Sequence, residues 1–189
     1  MTVLRFRSLL LAALILPLPA AAFSLFSWES APKAPASQNR PPSATVRPAD
    51  LNGPADRIVI KKSERRLYLM HGNQPIRSYK VALGYQPKGH KRYQGDGRTP
   101  EGRYRLDWRS ASSQYYKALH ISYPNPEDLI RARSKGQDPG GMIMIHGQPN
   151  RSAQEKTGDW TFGCIAVSNL AIDEIWTLTE VGTPIEILP

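Results

Sequence analysis

Apolar positions are spread unevenly along the chain, and their spacing changes character as it proceeds. Residues 9–16 are an unbroken apolar run behind Arg5 and Arg7, followed by Pro17, Pro19 and the small residues Ala20, Ala21 and Ala22. A basic start, a short apolar stretch and a small-residue end mark a secretory signal peptide, and the stretch stops short of the roughly 20 apolar residues that a spanning helix needs. The expected signal peptide is 1–22, giving a mature chain from Phe23 without a membrane span, in the periplasm or cell envelope. The alternative is an uncleaved anchor extended through Phe23, Leu25, Phe26 and Trp28.

Residues 23–56 have no apolar periodicity and carry Pro32, Pro35, Pro41, Pro42, Pro48 and Pro54. This composition predicts a linker, either extended as polyproline II or merely disordered. Periodicity returns in 57–189, which is expected to be one domain. Short β-branched or aromatic runs at 58–61, 67–70 and 76–83, with His71-Gly72-Asn73 as a turn, predict a strand meander. Residues 84–97 are polar and glycine-rich, a long loop of the kind that is often functional. Strand pattern resumes at 104–108, and 142–145 and 164–167 are apolar runs suited to central strands.

Two helices are expected. Asn125-Pro126-Glu127-Asp128 offers a cap, a first-turn proline and first-turn acids, with Arg131, Arg133 and Lys135 at the far end before Gly136. After Ser168-Asn169, the spacing of Ile172, Ile175, Trp176 and Thr179 predicts a second helix ended by Gly182, and 183–188 predicts a closing strand.

With 189 residues, 40% hydrophobic and 22% charged, the chain can bury a core. A formal charge of +9 permits nucleic acid, a membrane surface or another polyanion as partner. Export argues against nucleic acid and suits an anionic envelope. One cysteine excludes an internal disulfide, and a metal site from His146, Cys164 and Asp159 lacks a third soft ligand, so neither metal nor cofactor is expected.

Candidate chemistry gathers in Gly140-Gly141-Met142-Ile143-Met144-Ile145-His146-Gly147 and Asp159-Trp160-Thr161-Phe162-Gly163-Cys164-Ile165-Ala166-Val167. A free thiol has a pKa of about 8.5, and a paired imidazole raises its thiolate fraction, so Cys164 with His146 suggests a cysteine acyltransferase or hydrolase. The Gly163 and Cys164 backbone N–H groups are the candidate oxyanion donors. Against this stands the commonplace buried core cysteine. The lack of a partner cysteine in an exported chain and the flanking glycines favour the chemical role.

His146-Gly147 followed by Thr161-Phe162-Gly163-Cys164, with Arg98-Thr99-Pro100-Glu101-Gly102-Arg103-Tyr104 upstream, resembles the L,D-transpeptidase catalytic domain, or YkuD, family over 57–189. The resemblance implies a mostly β, YkuD-like β-sandwich with two short helices. It implies that Cys164 attacks the amide at position three of a peptidoglycan tetrapeptide stem, with His146 as base and the Gly147 carbonyl orienting the imidazole. The acyl group would pass to a second stem's amine, to a lipoprotein lysine or to water. Phe162 and Ala166 depart from the family pattern, which usually has His at the first position and commonly Arg or Asn at the second. The Asp-Trp-Thr-x-Gly-Cys-Ile-Ala-Val form resembles a branch with a member that hydrolyses the lipoprotein link, so a hydrolase is one alternative and an inactive peptidoglycan-binding module another. Asp159, Trp160 and Thr161 are expected to line the acyl site, and Arg98 and Tyr123, with His120 and Asn125, to face the groove, Arg98 holding a substrate carboxylate.

Overall fold

The computed structural model describes residues 53–189, so the signal peptide and all but the last four residues of the expected linker lie outside the described residues. Those last residues are held by the fold: Ala55 N–H donates to Leu178 O (2.7 Å) and Asp56 N–H to Met70 O (2.9 Å). The described chain forms β1 (Arg57–Lys61), β2 (Arg66–His71), β3 (Gln74–Lys80), β4 (Gly102–Ser113), β5 (Tyr116–Ile121), α1 (Pro126–Arg133), β6 (Met144–His146), β7 (Ile165–Ala166), α2 (Asn169–Leu178) and β8 (Pro184–Leu188). It is mostly β with two helices, as expected.

The eight strands hydrogen-bond in the order β3-β2-β1-β8-β4-β5-β6-β7. β1 pairs with β8, and β6 with β7, in parallel. Period-two burial explains the first half of the sheet. Ile58 and Ile60 of β1, Leu67 and Leu69 of β2, and Ile185 and Ile187 of β8 face inward while their neighbours stay partly exposed. β4 serves both halves: residues 102–105 pair with β8, and the stretch from Leu106 onward pairs with β5. One buried cluster joins Leu106, Leu119, Ile145 and Ile165 of the second half to the isoleucines of the first, with Ile172 and Ile175 of α2 sealing it.

Both helix starts follow the expected chemistry. The Asn125 side chain accepts from Asp128 N–H (2.9 Å) and Asp128 accepts from Asn125 N–H (3.1 Å), while Ser168 Oγ accepts from Ala171 N–H (3.1 Å). The end of α2 differs from expectation: the backbone turns extended at Thr179, and Gly182 serves the turn before β8 instead. The run at 76–83 also divides. β3 ends at Lys80, and Ala82 and Gly84 instead bridge to Ala166 and Thr161, bringing this segment beside the apolar runs near the C-terminus.

Candidate active site

β6 and β7 are short, and that brevity builds the site. Their register pairs Ile145 with Ile165, which face the core, and His146 with Ala166 on the other face. Cys164 enters β7 from a turn that Thr161 ties: Thr161 Oγ donates to Cys164 O (2.7 Å) and accepts from Gly163 N–H (3.1 Å). Thr161 itself is anchored by its backbone to Leu83 and Tyr85. Gly163 has φ +127°, and a Cβ there would lie 2.7 Å from Arg98 O, so only glycine fits. The long loop expected at 84–97 presses against this turn. Asp96 holds that loop by accepting from Lys91 Nζ (2.9 Å), Arg92 N–H (2.6 Å) and Arg98 N–H (3.1 Å).

His146 is buried, and its Nδ1 donates to Gly147 O at 2.7 Å, because a carbonyl only accepts. That fixes the tautomer and leaves Nε2 with its lone pair. Tyr115 packs on the imidazole (ring centroids 4.5 Å apart) and Trp160 meets it edge-on (5.8 Å). The Cys164 thiol donates to Met142 O at 3.5 Å. Burial pushes this thiol up from its ordinary value, and the Met144 backbone N–H and the Lys91 charge only partly offset it. Burial likewise pushes the His146 imidazole down, against the pull of the Gly147 carbonyl. Burial thus favours the uncharged form of each group, where pairing with an imidazole suggests a lowered thiol. A neutral imidazole with a free Nε2 is suited to take a proton.

The structure gathers some of the expected residues at the site and turns others to different work. Gly163 N–H is spent on Thr161, so Cys164 N–H is the amide of this turn without a hydrogen bond among the described residues. The Thr161 hydroxyl spends its proton and one lone pair inside the turn. Asp159 is clasped by Arg65 Nε (3.0 Å) and Nη2 (2.8 Å) and accepts from Leu83 N–H (3.0 Å), which makes it a brace for the 159–164 segment. Tyr123 is buried, donates to Pro139 O (3.1 Å) and packs on Tyr104, away from any groove. The Arg98 guanidinium lines a cavity of about 440 Å³ with Tyr85, Arg92 and Asp96 and has no polar partner among the described residues. Trp160 stays beside His146 with Lys156 4.8 Å over its ring, and Phe162 stands 79% exposed against the Tyr85 edge. Tyr115 and Arg65 escape sequence reading. Tyr115 sits in a polar stretch without strand pattern, and Arg65 acts through a left-handed backbone, φ +52°.

The model of the L,D-transpeptidase catalytic domain, YkuD, matches residues 55–187. The protein named "Putative L,D-transpeptidase YafK" of Escherichia coli K12 is 36% identical over 125 residues, covering 63% of this chain and 45% of its own length. Among solved structures, the helical cell shape determining protein Pgp2 of Campylobacter jejuni is similar with a TM-score of 0.55 and 24% identity, over 69% of this chain and 46% of that one. Bd1075 of Bdellovibrio bacteriovorus gives 0.51 and 25%, over 71% and 48%. The chain spans less than half the length of these relatives.

Proposed function

Because the chain belongs to the L,D-transpeptidase catalytic domain family, we propose that it is an exported, cysteine-dependent L,D-transpeptidase of the cell envelope acting on peptidoglycan tetrapeptide stems. The observation that supports this reading is the Thr161-tied turn, which leads from Cys164 into β7, the strand paired with that of His146, whose Nδ1 donates to Gly147 O at 2.7 Å.

In this mechanism His146 Nε2 takes the thiol proton as Sγ attacks the stem carbonyl, and Cys164 N–H faces the developing oxyanion. His146 then hands the proton to the leaving amine, and a thioester remains on Cys164. Starting from a neutral pair, the charge is created only in the transition state, inside a site that the Tyr115 and Trp160 rings keep apolar. An acceptor amine then resolves the thioester.

The test is mass spectrometry of muropeptides incubated with the mature protein. New stem-to-stem cross-links that vanish in Cys164→Ser support the reading. Shortened or released stems, without cross-links, would make the protein a hydrolase of the same bond. No change in the muropeptides and no adduct on Cys164 would leave a binding module.

A further inference from the structure

A second imidazole shares the sheet face of His146, beside the strand that Cys164 leads into. β5 and β6 pair His120 with Met144 and Ala118 with His146, and β6 and β7 pair His146 with Ala166. Residues directly opposite one another project to the same side of a sheet. His120 is therefore in line with Met144, whose backbone N–H supports the Cys164 thiol from the next position along. Leu119 and Ile145, one residue on, point the other way into the core.

His120 is held as a base is held. The pairing of β4 with β5 steps from Leu106↔Ile121 to Trp108↔His120, so Asp107 is the extra residue of a bulge. The bulge brings the Asp107 carboxylate to the ring, and His120 Nδ1 donates to its Oδ1 at 2.6 Å. Trp108 lies flat on the imidazole, with centroids 4.8 Å apart and planes 9° apart. Nε2 has no hydrogen-bond partner among the described residues. The carboxylate and the indole are 41% and 38% exposed, a negative group and a π face that together suit a cation.

Proton accounting gives this arrangement work to do, on the reading of the site proposed above. An acceptor amine with the basicity of a lysine, pKa about 10.4, arrives as an ammonium. When its nitrogen bonds to the acyl carbon and the C–S bond breaks, the ammonium sheds two protons. One returns through His146 to Sγ and restores the thiol, and the other must leave the site before attack. Water sheds in the attack only the proton that Sγ takes back, and its second leaves the finished carboxylic acid afterwards without help, so it needs only one base. We propose that His120, positioned by Asp107 and walled by Trp108, receives the ammonium of the acceptor and takes its first proton, favouring transfer to amines over water.

The experiment forms the thioester on the full chain from a tetrapeptide donor and follows it by intact mass, adding either a stem amine or methoxyamine, which is uncharged at neutral pH. In His120→Gln, acylation and hydrolysis are expected to stay within about twofold of the parent, whereas transfer to the stem amine falls about 10²-fold. Transfer to methoxyamine stays at the parental rate, which a merely structural role for His120 would not predict. Asp107→Asn, on the exposed bulge, gives the same split with about a tenfold drop. Equal losses for both amines, or losses of acylation and hydrolysis to the same extent, would overturn the assignment. A parent protein that forms no thioester at all would overturn the reading of the site, and this role with it.

Discussion

Two groups of polar residues among the described ones, around Lys62 and around Cys164, differ in what they leave open. Around Lys62, the ammonium donates to Gly89 O (2.6 Å), Thr99 O (2.9 Å) and Glu101 (2.8 Å), using all three of its protons. Nearby, Asp128 accepts from Tyr104 (2.9 Å), Arg131 (2.9 Å) and Asn125 N–H (3.1 Å), with His90 Nε2 at 3.0 Å. Around Cys164, by contrast, Cys164 N–H, His146 Nε2 and His120 Nε2 have no partner among the described residues. The fully buried side-chain atoms without a partner among the described residues are Trp160 Nε1, beside His146, and Arg109 Nε, against Trp176, whereas the Lys62 and Asp128 groups are closed by their partners. The first group is scaffold, and the second is the candidate site.

Cys164→Ser breaks the comparison most severely on the side of the site. Turnover of muropeptides is expected to fall more than about 10⁴-fold, with the melting temperature unchanged, because the thiol carries chemistry and little packing. Gly163→Ala follows, since its Cβ would meet Arg98 O and push Cys164 N–H off line. Loss of one oxyanion donor predicts a drop in turnover of about 10²-fold or more, measured against acylation in single-turnover assays, together with about 1–3 kcal/mol of destabilisation from the strained backbone.

Lys62→Met reverses the pattern. It strands Glu101 and two carbonyls, so denaturant unfolding should show a loss of about 3 kcal/mol, while activity per folded molecule is retained. Equal losses of stability and specific activity would merge the two groups into one.

The smallest effect sharpens the comparison. Only the thiolate is alkylated, and burial pushes the Cys164 thiol up. Iodoacetamide labelling should therefore reach half-maximal rate at higher pH than for the unfolded chain, near 8.5, and be slower than that control at neutral pH. A midpoint on the acid side would mean a pre-formed thiolate–imidazolium pair, in place of two uncharged groups.

The parts legible in the sequence are those governed by neighbours in the chain. The caps at Asn125 and Ser168, the alternation of Ile58 and Ile60 and of Leu67 and Leu69, and the strands at His146 and after Cys164 all follow from local pattern or motif. What escaped depends on partners distant in sequence. β4 continues through Arg109-Ser110-Ala111-Ser112-Ser113, a polar stretch with no fully buried residue and no apolar alternation, and is held there by its pairing with β5. The run at 142–145 reads as strand from its first residue, yet Met142 has φ +56° and is 63% exposed, so β6 begins only at Met144. Asp159 and Tyr123 could be named as site residues because their types suit binding. Their true partners, Arg65 and Pro139 O, could not be read from spacing.

β8, the last strand in chain order, lies between β1 and β4. Until Pro184–Leu188 has been made and has slotted in, the two halves of the molecule are separate sheets, each presenting an unpaired edge to any other strand it meets. A polypeptide cut before this strand would hold the Cys164 turn and both helices but lack the seam between the halves. Its contacts with β1 and β4 span much of the described sequence, so the seam closes late in folding. Joining of the two sheets therefore waits for Pro184–Leu188, and a copy cut short of it is an adhesive fragment with an open edge on each sheet.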